Sequence, residues 1–381
     1  MKQTSKIYLP NLNTLRAVAA LMVVISHIEL KKSILGLGGL STLKNWGTIG
    51  VSLFFVLSGF LITYLLMVEK ENFKTINVKD FYLRRILRIW PLYFLVIAFV
   101  YVLIPYILPA YYQSEPERFT LTSVLYNVFF LTNFSLVLKL TPVIISNIWS
   151  IGIEEQFYIF WPWVMKQKEK TYTKLILLVI FIIPIGKLCT MLLNHWLHSD
   201  QIRIASKIIT TTRIDCMAIG AFFGVLGYRK NIQLFRFNLN YAVFTTRWVQ
   251  VLCYSIVLST FIIAQFTTRL DLFFNFALYP WLFAIIILNL STNPNTLFNL
   301  ENKITNYIGV ISYSIYLNHM LVMYLWFPFI KPYISTLTPM IQNIIIYPST
   351  LMLVFLVSHI TYNYFEKQFL KLKKKFAHVN T

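Results

Sequence analysis

LRAVAALMVVISHI, residues 15–28, decides how the rest of the chain is read. It is apolar enough for a bilayer helix, yet it holds Arg16 near one end and His27 near the other. At 100° per residue, the eleven steps between them turn the helix about 20° past three full turns. Both side chains therefore fall on one face, about 16.5 Å apart along the axis.

The surrounding composition places this helix in a membrane. Of 381 residues, 57% are hydrophobic and 17% aromatic, while only 13% are charged. Mean hydropathy is +0.64. Water-soluble domains are roughly 45–50% apolar and about 25% charged. The chain reads as all-α, a polytopic integral membrane protein. Its net charge of +20 fits cationic cytoplasmic loops. With no soluble basic domain to carry that charge, it argues against nucleic-acid binding. Cys189, Cys216 and Cys253 lie apart in apolar segments and make neither a disulfide framework nor a zinc site. The first apolar run follows a polar leader and lacks a small-residue cleavage site, so it reads as a retained span rather than a signal peptide.

A helical span needs about 20 apolar residues. Ten candidates lie near 12–30, 48–68, 89–109, 146–166, 172–194, 211–228, 247–266, 272–290, 310–330 and 340–362. Segment 121–138, with Asn127, Thr132 and Asn133, stays open between a span, a re-entrant piece and an interfacial helix. If the N-terminus is cytoplasmic, 22 Lys and Arg fall on inner segments and nine on outer ones, with Arg16, Lys187 and Arg213 inside spans. That bias predicts a multi-pass protein of a bacterial inner (plasma) membrane with both termini cytoplasmic. An eleventh crossing at 121–138 would invert every later loop. No internal repeat or soluble insert interrupts the pattern. The expectation is one membrane-embedded domain over 1–381, with its transmembrane core at about 9–365 and no fused extracytoplasmic domain.

Ionisable side chains within spans are costly and mark cavities. In NIWSIGIEEQFYIFWPWV, 147–164, Glu154 and Glu155 sit 100° apart. One is expected to face a histidine or arginine and the other a neighbouring helix. A carboxylate near His27 would hold its tautomer and raise its basicity. In FYLRRILRIWPLYF, 81–94, Arg84, Arg85 and Arg88 make a cationic turn, with Arg85 and Arg88 on one face. Guanidinium forks suit phosphate; anchoring on anionic lipid is the alternative. In TTRIDCMAIGAFFGV, 211–225, Arg213 and Asp215 point to opposite sides, either bracing the bundle or touching substrate. His319, beside Asn318, lines a cavity or bonds within the bundle. Lys187 faces the cavity or snorkels, and His359 is interfacial. His195 and His198 lack a third ligand, so no metal site is expected. No Walker loop, dinucleotide fingerprint or serine elbow is present.

Six motifs in order carry a resemblance. They are the Arg16–His27 pair, GVSLFFVLSGFLI at 50–62, FYLRRILRIWPLYF at 81–94, NIWSIGIEEQFYIFWP at 147–162, TTRIDCMAIGAFFG at 211–224 and ISYSIYLNH at 311–319. From about residue 9 to 365 the chain resembles the acyltransferase family 3 membrane O-acyltransferases. The resemblance implies a ten-helix enzyme that moves an acyl group, usually acetyl, from cytoplasmic acyl-coenzyme A to a carbohydrate or lipid-linked glycan hydroxyl. Acyl-coenzyme A is then a co-substrate, with no tightly bound cofactor. By the same resemblance His27 is the catalytic histidine, paired with Arg16. Arg85 and Arg88 contact the donor, and Glu154 is the first carboxylate of the W-S-x-x-x-E-E-Q-F-Y stretch. Glu155, Arg213, Asp215 and His319 complete the substrate-binding set.

These readings combine into one expected mechanism. His27 takes the acceptor proton, Glu154 orients or steadies it, and Arg213 or a tyrosine stabilises the oxyanion. A covalent acyl relay stays open. Two other classes stand beside this one: a subunit relaying acyl groups to a separate extracytoplasmic transferase, and a transporter whose buried charges relay protons.

Overall fold

The computed structural model describes residues 7–234, 237–263 and 277–376. Helices α1 (Leu12–Ile34), α2 (Trp46–Phe73) and α3 (Val78–Ala98) open the chain. Short helices α4 (Leu121–Val128) and α5 (Thr132–Val137) lead into α6 (Trp149–Lys166). Then follow α7 (Glu169–Leu197), α8 (Asp200–Thr211), α9 (Ile214–Arg229), α10 (Arg247–Ile263) and α11 (Tyr279–Thr292). Helices α12 (Lys303–Val310), α13 (Ser312–Ile334), α14 (Pro339–Thr361) and α15 (Lys367–Lys373) complete the order. Among the described residues, the departure from helical and loop structure is a short antiparallel strand pair, β1 (Asn231–Leu234) and β2 (Phe237–Asn240), with Asn231 opposite Asn240.

The bundle is centred on α1, α2 and α9. Helices α2 and α9 cross at Gly59 and Gly220. A Cβ on Gly59 would sit 1.9 Å from the Met217 carbonyl oxygen, and one on Gly220 2.1 Å from that of Val56. Only glycine lets the two backbones approach so closely, a common way for helices to pack inside a bilayer. Helix α1 lies against α2, α12 and α13. Its start is pinned by Asn11, whose amide donates to the Leu290 carbonyl at 2.8 Å and accepts from the Leu300 N–H at 2.7 Å.

Among the described residues, five stretches are long and apolar enough to cross a membrane: Leu43–Phe73, Val78–Ile107, Glu169–Leu197, Asp200–Arg229 and Pro339–Phe376. A sixth forms if Lys303–Val310 and Ser312–Ile334, bent by 70°, count as one broken span. This is a membrane protein, and by length and apolar composition alone fewer described helices qualify than the ten spans read from the sequence. Helices α10 and α11 are apolar but shorter. Parts of their predicted spans, 264–266 and 272–276, lie outside the described residues, as does Arg269. Helix α6 carries Glu154, Glu155 and Lys166 within its 18 residues. Helix α1 carries Arg16, Glu29, Lys31 and Lys32, and much of it is buried in protein.

Two further boundaries differ from the sequence reading. Helix α3 begins at Val78, eleven residues before the predicted span, and continues to Ile107. The Asn77 side chain caps it by accepting from the Asp80 N–H at 3.1 Å. Its arginines interrupt the apolar run but not the helix. Segment 121–138 is not one continuous helix. It breaks into α4 and α5 around Phe130, which adopts φ 58°. The polar residues that made it ambiguous are sewn into the bundle. Thr141 donates to Asn127 at 3.2 Å, Thr132 to the Ile148 carbonyl at 3.1 Å, and Gln156 to Asn133 at 2.9 Å. Buried polar groups need such partners.

Candidate active site

A chamber of about 790 Å³, counting its open mouth, lies between α1, α2, α3, α6 and α13. Arg16 enters from α1, Arg85 and Arg88 from α3, Ser58 from α2, and Glu154 and Tyr158 from α6. Tyr313 and Tyr316 of α13 close the far side. Periodicity accounts for each pair: Arg88 comes three positions after Arg85 and Tyr158 four positions after Glu154, so each pair shares a face.

Local contacts fix these side chains. Arg16 donates to the Asn13 side chain at 3.0 Å. Arg85 lies over the rings of Phe81 and Tyr158, at 5.7 and 5.8 Å, and its buried Nε has no hydrogen-bond partner among the described residues. The Tyr158 and Ser58 hydroxyls bond each other. Arg84 turns away. It bridges Glu69 at 2.7 Å and donates to the Phe376 carbonyl at 2.8 Å. Three guanidiniums thus share a largely aromatic and aliphatic chamber with one carboxylate. Such an excess of positive charge in a low-dielectric space suits an anion, and guanidinium forks fit phosphate geometry.

His27 and Arg16 both turn toward α13, as their shared face requires, but at different depths. Arg16 lines the chamber with Tyr313. His27 meets His319, with ring centroids 4.9 Å apart and His319 Nε2 3.3 Å from His27 Nδ1. Both Nδ1 atoms also lie on the backbone carbonyl four residues earlier: His27 on Val23 at 2.9 Å and His319 on Ile315 at 3.2 Å. A carbonyl only accepts, so both rings are Nδ1–H tautomers. That leaves the Nε2 lone pair of His27 available to take a proton. The partner holding His27 is His319 and a backbone carbonyl, not the glutamate that the sequence suggested. Tyr316 links the two regions: it lines the chamber and its ring lies 5.9 Å from His319. Its hydroxyl bonds the Asn147 carbonyl at 2.8 Å and Ser150 at 2.6 Å.

The remaining predicted site residues lie elsewhere. Glu155, 100° round from Glu154, leaves the chamber and accepts from the Trp90 indole at 3.0 Å. Asp215 is held by Lys187 at 2.8 Å, both buried. Arg213 is 1% exposed and donates to Ser52 at 2.8 Å and to the Cys216 sulfur at 3.3 Å. Neither Arg213 nor Asp215 lines the chamber; they brace α2, α7 and α9. Lys187 is thus an ion-pair partner rather than a snorkelling residue. His359 bonds the Tyr307 hydroxyl at 2.6 Å. Among the described residues no group of three or more His, Cys, Asp or Glu is placed to hold a metal. Sequence reasoning passed over Tyr158 and Tyr316. The four-residue step from Glu154 could have flagged Tyr158; no comparable signal marks Tyr316.

With the geometry in place, comparison with known proteins gives consistent relatives. A family described as an acyltransferase domain matches residues 9–362. The chain is 32% identical over 173 residues to the peptidoglycan O-acetyltransferase OatA of Listeria monocytogenes, covering 42% of this chain and 25% of that protein. It is 26% identical over 339 residues to the O-acetyltransferase OatA of Staphylococcus aureus, covering 84% of this chain and 51% of that one. The chain therefore spans about half or less of these relatives' lengths. No solved structure gives a significant match.

Proposed function

The chain belongs to the acyltransferase-domain family, and on that premise we propose that it transfers an acetyl group from acyl-coenzyme A to a hydroxyl of a cell-wall carbohydrate. The observation that carries the reading is the convergence of Arg16, Arg85 and Arg88 in one chamber whose wall, Tyr316, packs on the His319–His27 pair. Coenzyme A bears several phosphate charges, and the guanidiniums would hold them. The relatives' names point to a glycan acceptor.

In this mechanism the thioester arm passes Tyr316 to reach His27. The Nε2 of His27 takes the proton of the acceptor hydroxyl as its oxygen bonds to the thioester carbonyl carbon. The carbon–sulfur bond then breaks, and the leaving sulfur takes the proton from the imidazolium. His319 and the Val23 carbonyl fix the His27 ring. Glu154 balances the arginines at the donor end. A hydroxyl from Tyr316 or Ser150 is available to the oxyanion. Arg213, committed to Ser52 and Cys216, takes no part.

A second reading keeps the donor chamber but sends the acetyl group first to a separate extracytoplasmic transferase. The experiment is coenzyme A release from acetyl-coenzyme A by purified protein with peptidoglycan fragments, for the unmodified chain and His27→Ala. Release with fragment acetylation, both lost in the variant, is the expected result. Release without product favours the relay. Absence of release in the unmodified protein with every fragment overturns the donor assignment and leaves a transporter.

A further inference from the structure

The C-terminal helix packs against α3, the helix that carries Arg85 and Arg88 into the chamber. We propose that Lys373 of α15 is a donor-binding residue, a fourth cation closing the anion site from below; this rests on the acyl-coenzyme A reading above. The chain leaves α14 through one π-helical turn, Tyr362–Glu366. Glu366 accepts from Ser314 at 2.7 Å, next to the chamber residue Tyr313, and interacts with the charge of Arg88. Helix α15 then packs along α3, and its far end is tied down where the Phe376 carbonyl meets Arg84 at 2.8 Å. Lys373 lies between these two anchors.

The burial pattern separates Lys373 from its neighbours. Lys367, Lys371, Lys374 and Lys375 are exposed, whereas Lys373 is half-buried. Glu366, Phe369, Leu370 and Lys373 recur at helical spacing, so they form the inward face. On that face Lys373 comes within electrostatic reach of Arg88, Arg85, Arg16 and Arg84. A membrane-anchoring lysine would point outward to lipid phosphate, as the other four can. One turned inward among arginines is repelled by them unless an anion joins the group. Arg84 already has Glu69, but Lys373 makes no ion pair among the described residues. A compact ammonium complements the planar forks of Arg85 and Arg88 around a polyphosphate.

The test is direct binding to the purified full chain by calorimetry, with coenzyme A and inorganic pyrophosphate as two probes. The proteins are the unmodified chain, Lys373→Gln, Lys373→Arg and, as a surface control, Lys374→Gln. Matched thermal unfolding of all four checks the fold. Coenzyme A binding about tenfold weaker in Lys373→Gln, largely restored by Lys373→Arg and unchanged in Lys374→Gln, is the expected result. Equal affinity in Lys373→Gln and Lys374→Gln overturns the role of Lys373 while the donor reading stands. Pyrophosphate binding that depends on Lys373, without coenzyme A binding, keeps the anion site but removes the donor. If neither probe binds the unmodified chain, the inference and the reading it rests on both fall.

Discussion

His319 Nε2 lies 3.3 Å from His27 Nδ1, and each ring gives its own Nδ1–H to a backbone carbonyl one helical turn back. The pair is thus fixed in tautomer and direction without a carboxylate. The groups have distinct duties in the proposed reaction. His27 exchanges the proton, and His319 positions it.

Replacing the two histidines should separate these duties. His27→Ala is expected to lower kcat by about 10²–10⁴-fold, the usual worth of a general base. His319→Ala should lower kcat less, by about tenfold or more, with KM for the donor within twofold, since neither ring lines the chamber. His319→Gln, which keeps a hydrogen-bonding side chain, should recover part of the loss. Steady-state kinetics with a soluble glycan fragment decides it. Unchanged kcat in His319→Ala would sink the positioning role.

Arg85 and Arg88 should behave in the opposite way. Arg85→Gln and Arg88→Gln each remove a guanidinium from the chamber without touching the histidine pair. KM for acetyl-coenzyme A is expected to rise by about tenfold or more in each, with kcat changed far less. Lysine at either position should restore only part of the affinity, because it keeps the charge but loses the fork. A fall in kcat at constant KM would place these arginines in the chemistry instead.

What the sequence made legible was direction, and what it concealed was partners. Periodicity put Arg16 and His27 on one face, split Glu154 from Glu155, and paired Arg85 with Arg88. All of these follow from 100° per residue. It could not say that His27 meets His319, 292 positions away, or that Arg213 reaches Ser52 across 161. Such contacts depend on how helices pack, which no local spacing encodes. The same holds for Lys373: a run of lysines reads as an inner-surface tail until the turn at Glu366 aims one of them inward. The start of α3 was hidden because arginines lower hydropathy without weakening a helix. Segment 121–138 was ambiguous because its polar residues satisfy tertiary rather than local hydrogen bonds.

The glycine crossing gives a stability prediction that leaves the chemistry alone. At Gly220 an added methyl would lie 2.1 Å from a backbone oxygen of α2, which has no flexible end to move aside. Gly220→Ala should destabilise the protein by about 1–3 kcal/mol, the range for overpacked sites. Glycine to alanine on the open side of α7, at Gly186, meets its nearest atom at 3.9 Å and should be neutral or slightly stabilising, as alanine favours a helix. Thermal unfolding in one detergent compares the two, and equal melting would refute the tight crossing.

The Lys187–Asp215 pair offers the sharpest separation of bracing from catalysis. Both groups are buried, 2.8 Å apart, on α7 and α9. Removing one partner of a buried pair strands a charge and typically destabilises by about 3–5 kcal/mol. Replacing both with apolar residues of similar volume is often neutral. Asp215→Asn and Lys187→Met should therefore each lower the melting temperature markedly. The double variant Lys187→Met/Asp215→Leu should recover most of the loss. Because Asp215 does not line the chamber, KM and kcat of the double variant, measured well below its melting temperature, should stay within a few-fold of the original. If stability returns in the double variant but turnover does not, Asp215 acts on substrate, and its place outside the chamber misleads.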